Sequence, residues 1–414
     1  MVGSNKKSLS YCSAAHGGWG LVRVGMLVPE SYQLFVCPFA CGRHGAIGAI
    51  THGNKERLSY LYIDETDIVS GGYETMVVQA VDELLQLIGY HPRVLMIFVS
   101  CLDDLLGTDH ESFLRPLREK YPHMRFTVGH MNPIRLDGKQ PPVVSAHCKM
   151  YGLLEKRAQG AKAVNLVGNH VPIPHEGELH RLLTENGYRV RQIGECETFE
   201  DFLAMAESHL NIVTRPYALQ AAKEMQKELG IDYLYMPLTH DLQELDGYYR
   251  QLAHKLSFQA PVQFQDLRNA ISRQAHEALR IVGTQPVSVD FSATMRPFSL
   301  AKTLAELGFA VKEVVSDECI PLEQPSRQWL SENTQVQWIN PTHHNAIDRR
   351  QNKDFICVGL ESAYYNNAQH VVGMMDCEGI YGYHGLGDIL EKITSASKES
   401  TDVEKLIKSY GLVV

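Results

Sequence analysis

Residues Leu34–Gly53 read LFVCPFACGRHGAIGAITHG. An apolar, strand-like run, Leu34–Val36, ends on Cys37. Cys41 follows four residues later, then Gly42 and a small, apolar, helix-like stretch. Two thiols at a strand-to-helix turn point to ligation. Thiolates sit well at a helix N-terminus, where backbone N–H groups point outward and the macrodipole favours negative charge.

On either side of this turn, strand-length apolar runs alternate with longer amphipathic stretches. Leu58–Ile63 reads as the next strand, Gly71–Gly72 as a turn, and Glu74–Ile88 as a helix with apolar residues at 3-and-4 spacing. Val94–Val99 is continuously apolar, the mark of a strand buried on both faces of a parallel sheet. Cys101 follows it and a helix is expected from Leu102. The same alternation restarts near residue 161 and again near residue 262. A polar stretch precedes the strand Gln335–Ile339, and YGYHGLGD (Tyr381–Asp388) reads as a turn before a final helix. The pattern predicts an α/β protein of three doubly wound parallel-sheet, Rossmann-like domains: 1–155, carrying the cysteine turn, then 156–260, then 261–414. Ligands of such sheets bind at the C-terminal ends of strands, where Cys37, Cys41 and Cys101 are placed.

The 414 residues exceed one ordinary core. The net charge of -9 and the lack of a long basic run argue against nucleic acid or an anionic membrane as partner. The first residues, MVGSNKKSLSYC, lack the apolar stretch of a secretory leader, and no apolar run nears the ~20 residues of a membrane helix, so a cytoplasmic protein is expected. Nine cysteines, an odd number, argue against a disulfide framework.

Cys12, Cys37, Cys41 and Cys101 all fall in the first block. Four thiolates suit zinc or iron–sulfur ligation, but only Cys37–Cys41 shows the close spacing of a structural zinc pair. Scattered cysteines at strand ends fit a buried cluster better. On spacing alone, cluster and core remain equal readings. Cys148, Cys196, Cys319, Cys357 and Cys377 read as ordinary residues. His44, His52 and His384 read as structural or solvated. HGGWG (His16–Gly20) is too short for a phosphate cradle, and no G-x-x-x-x-G-K-[ST] occurs.

The quoted turn and three further segments resemble the nitrogenase component 1 family. That family includes nitrogenase subunits, their cofactor-assembly scaffold, the dark-operative protochlorophyllide and chlorophyllide reductases, and the reductive cyclase of nickel tetrapyrrole synthesis. ACGRHG (Ala40–Gly45) resembles the end of the family's H-G-x-x-G-C-G turn, with Cys41 at the ligand and Cys37 near the family's His. TDIVSGGYE (Thr66–Glu74) is similar to its D-I-V-F-G-G loop, and VSCLDDLLGTD (Val99–Asp109) to its T-C-x-x-x-x-I-G-D-D segment. Cys12 sits where the first ligand is expected. MMDCEGIYGYHGLGD (Met374–Asp388) resembles the closing M-H-S-W-D-Y-S-G-P-Y-H-G-Y-D-G. There Met375 takes the place of the His that holds nitrogenase's large cofactor. Thr214 and Arg215 lie where its Cys would fall. The resemblance therefore argues against dinitrogen reduction on such a cofactor.

What the resemblance implies is an iron–sulfur cluster on Cys12, Cys41 and Cys101, with Cys37 as fourth ligand or close neighbour. Four local cysteines would close a 4Fe–4S site; three from each of two chains would hold a larger, P-cluster-like one. The implied partners are a separate ATP-dependent, homodimeric iron–sulfur reductase and a second component 1 chain, either itself or a homologue. The implied activity is that of an anaerobic, nitrogenase-like oxidoreductase that accepts low-potential electrons from the reductase and passes them to a substrate. Two other readings stand beside it: a scaffold for metallocluster assembly, and a non-catalytic ligand-binding protein of the same architecture.

Overall fold

The computed structural model describes residues 20–42, 46, 53–132, 140–160, 162–258, 264–343, 351, 353–375 and 379–412. Thirteen strands among them form three wholly parallel sheets. The first contains β1 (Ser31–Cys37), β2 (Leu58–Tyr62), β3 (Val94–Val99) and β4 (Arg125–His130), in the order β2-β1-β3-β4. The second contains β5 (Ala163–Val167), β6 (Arg189–Gln192), β7 (Leu210–Val213) and β8 (Asp232–Tyr235), in the order β6-β5-β7-β8. The third contains β9 (Val287–Asp290), β10 (Val311–Val315), β11 (Gln337–Ile339), β12 (Ile356–Val358) and β13 (His370–Val372), in the order β11-β10-β9-β12-β13. Each order reverses direction once, between β1 and β3, β5 and β7, and β9 and β12. Such reversals open crevices at the carboxyl ends of the strands, as expected for doubly wound sheets.

The described residues within 19–172 and 187–237 form one compact unit with the first two sheets. Those within 173–186 and 238–414 form a second unit with the third sheet. Among the described residues, no helix is long and apolar enough to cross a membrane.

Side-chain alternation along β1 supplies both faces of its sheet. Tyr32, Leu34 and Val36 pack in one core with Val77, Val81, Leu84 and Leu85 of the helix Tyr73–Ile88. Phe35 and Cys37 face another core, shared with Phe98 of β3. All six residues of β3 are buried, as a strand covered on both faces requires.

The sequence reading fails in three places. The helix expected from Leu102 is two helices, Cys101–Leu106 and Glu111–Lys120, because Gly107 in the left-handed conformation (φ 64°) ends the first. The polar stretch holds a helix, Gln324–Asn333, with proline in its first turn. The segment YGYHGLGD is no turn, because the helix Gly382–Ala396 starts inside it. Its two further glycines and its His mimic a loop in sequence, but Gly385 and Gly387 let Ile380 and Gln274 pack against the helix backbone.

Candidate metal centre

Strand β1 delivers Cys37, which is fully buried on the same face as Phe35. Its carbonyl oxygen accepts from the Ile63 N–H at 3.2 Å. The chain then turns, residues 39–42 are helical, and the Cys41 N–H donates to the Pro38 carbonyl at 2.9 Å. Cys41 is half-buried against the core that holds Cys37. Strand β3 delivers the third thiol. Val36 pairs with Val99, and the Ser100 N–H donates to the Val36 carbonyl at 3.2 Å. Cys37 and Ser100–Cys101 thus leave adjacent strands at the same level. Cys101, half-buried, opens the helix Cys101–Leu106.

That helix is fixed by its two carboxylates. Asp103 is buried, accepts from the Tyr73 hydroxyl at 3.0 Å and lies 2.6 Å from His110 Nε2. Asp104 accepts from Asn132 Nδ2 at 2.9 Å and lies 3.2 Å from His130 Nδ1. The DD of VSCLDDLLGTD therefore anchors the element that carries Cys101.

Burial above all pushes the Cys37 thiol up to about 12, and Cys41 beside it acts in the same direction. Cys41 is raised as well, by burial and then by Cys101. Cys41 thus stands electrostatically between the other two. Uncompensated thiolates here would repel one another in a poorly solvated place; a bound cation removes both penalties and deprotonates its thiol ligands outright. Among the described residues, no three His, Cys, Asp or Glu side chains converge as a metal site. Cys12, like Cys377, His44 and His52, lies outside the described residues.

Two further features bear on whether an iron–sulfur cluster fits. Gly42 leaves room for aromatic rings: a Cβ there would meet Tyr60 and Tyr62 at 3.0 Å. The hydroxyls of Tyr60 and Ser100 are buried with no hydrogen-bond partner among the described residues. Soft thiols, low polarity and spare donors suit iron–sulfur ligation. Cys41 and Cys101, with Cys37 behind them, are the described residues that would hold such a group. Sequence reading missed Tyr60 and Ser100. The visible signals were a Tyr-x-Tyr on the strand beside the cysteine strand, and a Ser directly before Cys101.

Thr214 and Arg215 follow β7, at the reversal point of the second sheet. Thr214 is buried, donates to the Val167 carbonyl at 3.0 Å and accepts from Asn169 Nδ2 at 2.8 Å. Arg215, also buried, packs against Gly168 (φ 109°), where a Cβ would lie 2.9 Å from Arg215 Cβ. Beside them His147 Nε2 meets His170 Nε2 at 3.3 Å, and the His147 ring lies 4.9 Å from that of Tyr217. Met375 is half-buried against a core of the third-sheet unit. Cys357 is buried on β12, and burial pushes Cys148 and Cys196 up to about 12 and Cys319 to about 11.

Fold and site together define a class: a three-sheet, doubly wound α/β protein with thiols on the carboxyl edge of its first sheet. The profile of nitrogenase component 1 type oxidoreductases matches residues 18–398, and the chain belongs to that family. It is similar in fold to a solved chain described as "Nitrogenase Cp1 at pH 6.5", with a TM-score of 0.71 and 16% identity, covering 95% of this chain and 94% of that one. It is similar also to a chain of "Nitrogenase Cp1 at pH 5", with a TM-score of 0.66 and 13% identity, covering 94% of this chain and 88% of that one. No curated protein sequence matches it.

Proposed function

We propose that the chain is the iron–sulfur subunit of a nitrogenase-like, ATP-dependent reductase complex. The observation that carries this reading is the delivery of Cys37, Cys41 and Cys101 to one sheet edge, with Cys41 within electrostatic reach of each of the other two. Cys12, Cys41 and Cys101 are the proposed ligands, and Cys37 is the fourth ligand or a close neighbour. When bound, the cluster supplies one-electron chemistry at low potential. The chain's own part is to exclude water around sulfur, to fix the Cys101 helix through Asp103 and Asp104, and to present this edge to partners. The proposed ATPase of the complex is a separate homodimeric iron–sulfur reductase, as the family resemblance implies, and the given sequence carries no P-loop of its own.

The same edge supports a second proposed contact, with another component 1 chain, its own copy or a homologue. Segments leaving the carboxyl ends of β1, β2 and β3 expose Phe39 (77%), Val69 (86%) and Leu105 (77%), with Tyr62 and Leu106 also open. Exposed apolar residues gathered at a functional edge mark interaction surfaces.

Anaerobic purification tests the reading. A brown protein with about four irons per chain, bleached by dithionite, is expected. Cys41→Ala is expected to fold and to lose that iron. A colourless, iron-free native protein sinks the proposal. ATP-dependent reduction of a substrate with the reductase then separates an enzyme from an assembly scaffold.

A further inference from the structure

Two tyrosines at the first sheet have partners for their hydroxyls. The Tyr32 hydroxyl lies 2.8 Å from Ser59 Oγ, and the Tyr73 hydroxyl donates to Asp103 at 3.0 Å. Tyr60 does not follow suit. Its ring lies 5.8 Å from Phe35 and stacks on Tyr62 at 5.4 Å. It also lies against Gly42, the residue after Cys41. Its hydroxyl oxygen is buried without a partner among the described residues. Cys37 is close enough to push its ionisation upward, after burial and Tyr62.

Ser100 is the second exception. It holds the N-cap position of the helix Cys101–Leu106, where a serine hydroxyl ordinarily accepts a backbone N–H. Here the side chain does not cap; the Asp103 N–H goes to the Ser100 carbonyl instead, at 3.2 Å. The hydroxyl is buried and without a partner among the described residues. A buried hydroxyl left unpaired is destabilising. Two of them flank the three thiols, one beside the Cys41 turn and one adjoining Cys101.

We propose that the Tyr60 and Ser100 hydroxyls donate hydrogen bonds to the sulfur of the group held at Cys41 and Cys101, with Cys37 as a further ligand or close neighbour, and that these bonds set its reduction potential. This rests on the iron–sulfur reading above. An O–H donor stabilises negative charge on sulfur, and the reduced state carries more of it. Removing a donor therefore favours the oxidised state.

Tyr60→Phe keeps the ring and its packing and removes only the hydroxyl; Ser100→Ala does the same at the second position. The full chain is purified anaerobically, iron is counted, and the midpoint potential is read by an electron-paramagnetic-resonance titration. Each variant is expected to keep its iron and shift to lower potential. At a fixed poise the reduced-to-oxidised ratio falls about tenfold, which is about 59 mV for a one-electron couple. The double variant shifts further. Full iron with an unmoved or raised potential in both variants overturns the proposal. Loss of iron from both, with folding intact by circular dichroism, overturns it too, since the hydroxyls would then hold rather than tune. An iron-free native protein instead overturns the function proposed above, so the two failures are distinct.

Discussion

His147 lies on the helix Pro142–Tyr151 and is 1% exposed. Burial alone holds its imidazole down to about 3, against an ordinary value near 6.5. The unfolded chain therefore binds a proton that the folded chain refuses. Such a group contributes stability above about pH 6.5, lost as pH falls toward 3, at up to about 1.4 kcal/mol per pH unit. His147→Gln retains a polar contact for His170 and removes the titration. The expected result is a smaller drop in melting temperature between about pH 7 and about pH 4.5 than in the native protein. An equal drop in both refutes the assignment. This residue was invisible in the sequence, where the neighbouring Cys148 reads as an ordinary residue. Burial of a histidine depends on what packs over it, here Tyr151 and Tyr217. Tyr60 and Ser100 were hidden for the same reason, because an unpaired hydroxyl is defined by partners that local sequence does not specify. Cys37, Cys41 and Cys101 were legible because strand-end position follows from local apolar runs.

At the scale of elements, the carboxylates of the third-sheet unit show where anions are excluded. Helix N-termini attract negative charge. The N-terminus of the helix Pro297–Glu306 is taken by Glu323, which accepts from the Phe298 and Ser299 N–H groups at 2.9 and 2.8 Å. That of Leu360–Asn366 is taken by Asp290, which accepts from the Ser362 N–H at 2.6 Å. That of Gly382–Ala396 is taken by Glu178, which accepts from the Tyr383 and His384 N–H groups at 2.6 and 3.0 Å and from the Tyr249 hydroxyl at 2.5 Å. A Cβ on Gly382 (φ 70°) would sit 1.9 Å from Glu178 Oε1, so the approach requires glycine. This explains why the segment misled the sequence reading: its first glycine serves a long-range carboxylate, not a turn. The regular alternation was legible at β3, whose bounds match the apolar run, because a doubly covered strand leaves a continuous signature. Glu178→Ala strips acceptors from three donors and is expected to cost on the order of 3 kcal/mol. Glu178→Gln, which keeps an acceptor, is expected to melt between Ala and native in calorimetry. A Glu178→Ala melting temperature equal to the native one rejects this anchoring role.

For the whole molecule, the division into compact units sets what a partner must cover. The cysteine edge belongs to the unit of the first two sheets, and that unit's exposed Phe39, Tyr62, Val69, Leu105 and Leu106 lie in segments around it. Phe39 and Tyr62 already touch each other, with ring centroids 5.1 Å apart, so part of the apolar surface is contiguous. Leu105 is well suited as a probe. It sits on the Cys101 helix but points away from the buried Asp103 that anchors it, as its 77% exposure requires. Replacing an exposed leucine by glutamate costs the folded chain little, usually within about 0.5 kcal/mol. At the centre of an association interface the same charge is desolvated and unpaired, a penalty of several kcal/mol. The proposed pairing of component 1 chains therefore predicts that Leu105→Glu lowers the mass of the purified complex by light scattering to that of one chain. The melting temperature of the separated chain is expected to fall only as far as the loss of its partner dictates. A Leu105→Glu complex with the native mass places the interface elsewhere, while the iron count of the same sample reports independently whether the cysteine edge is intact.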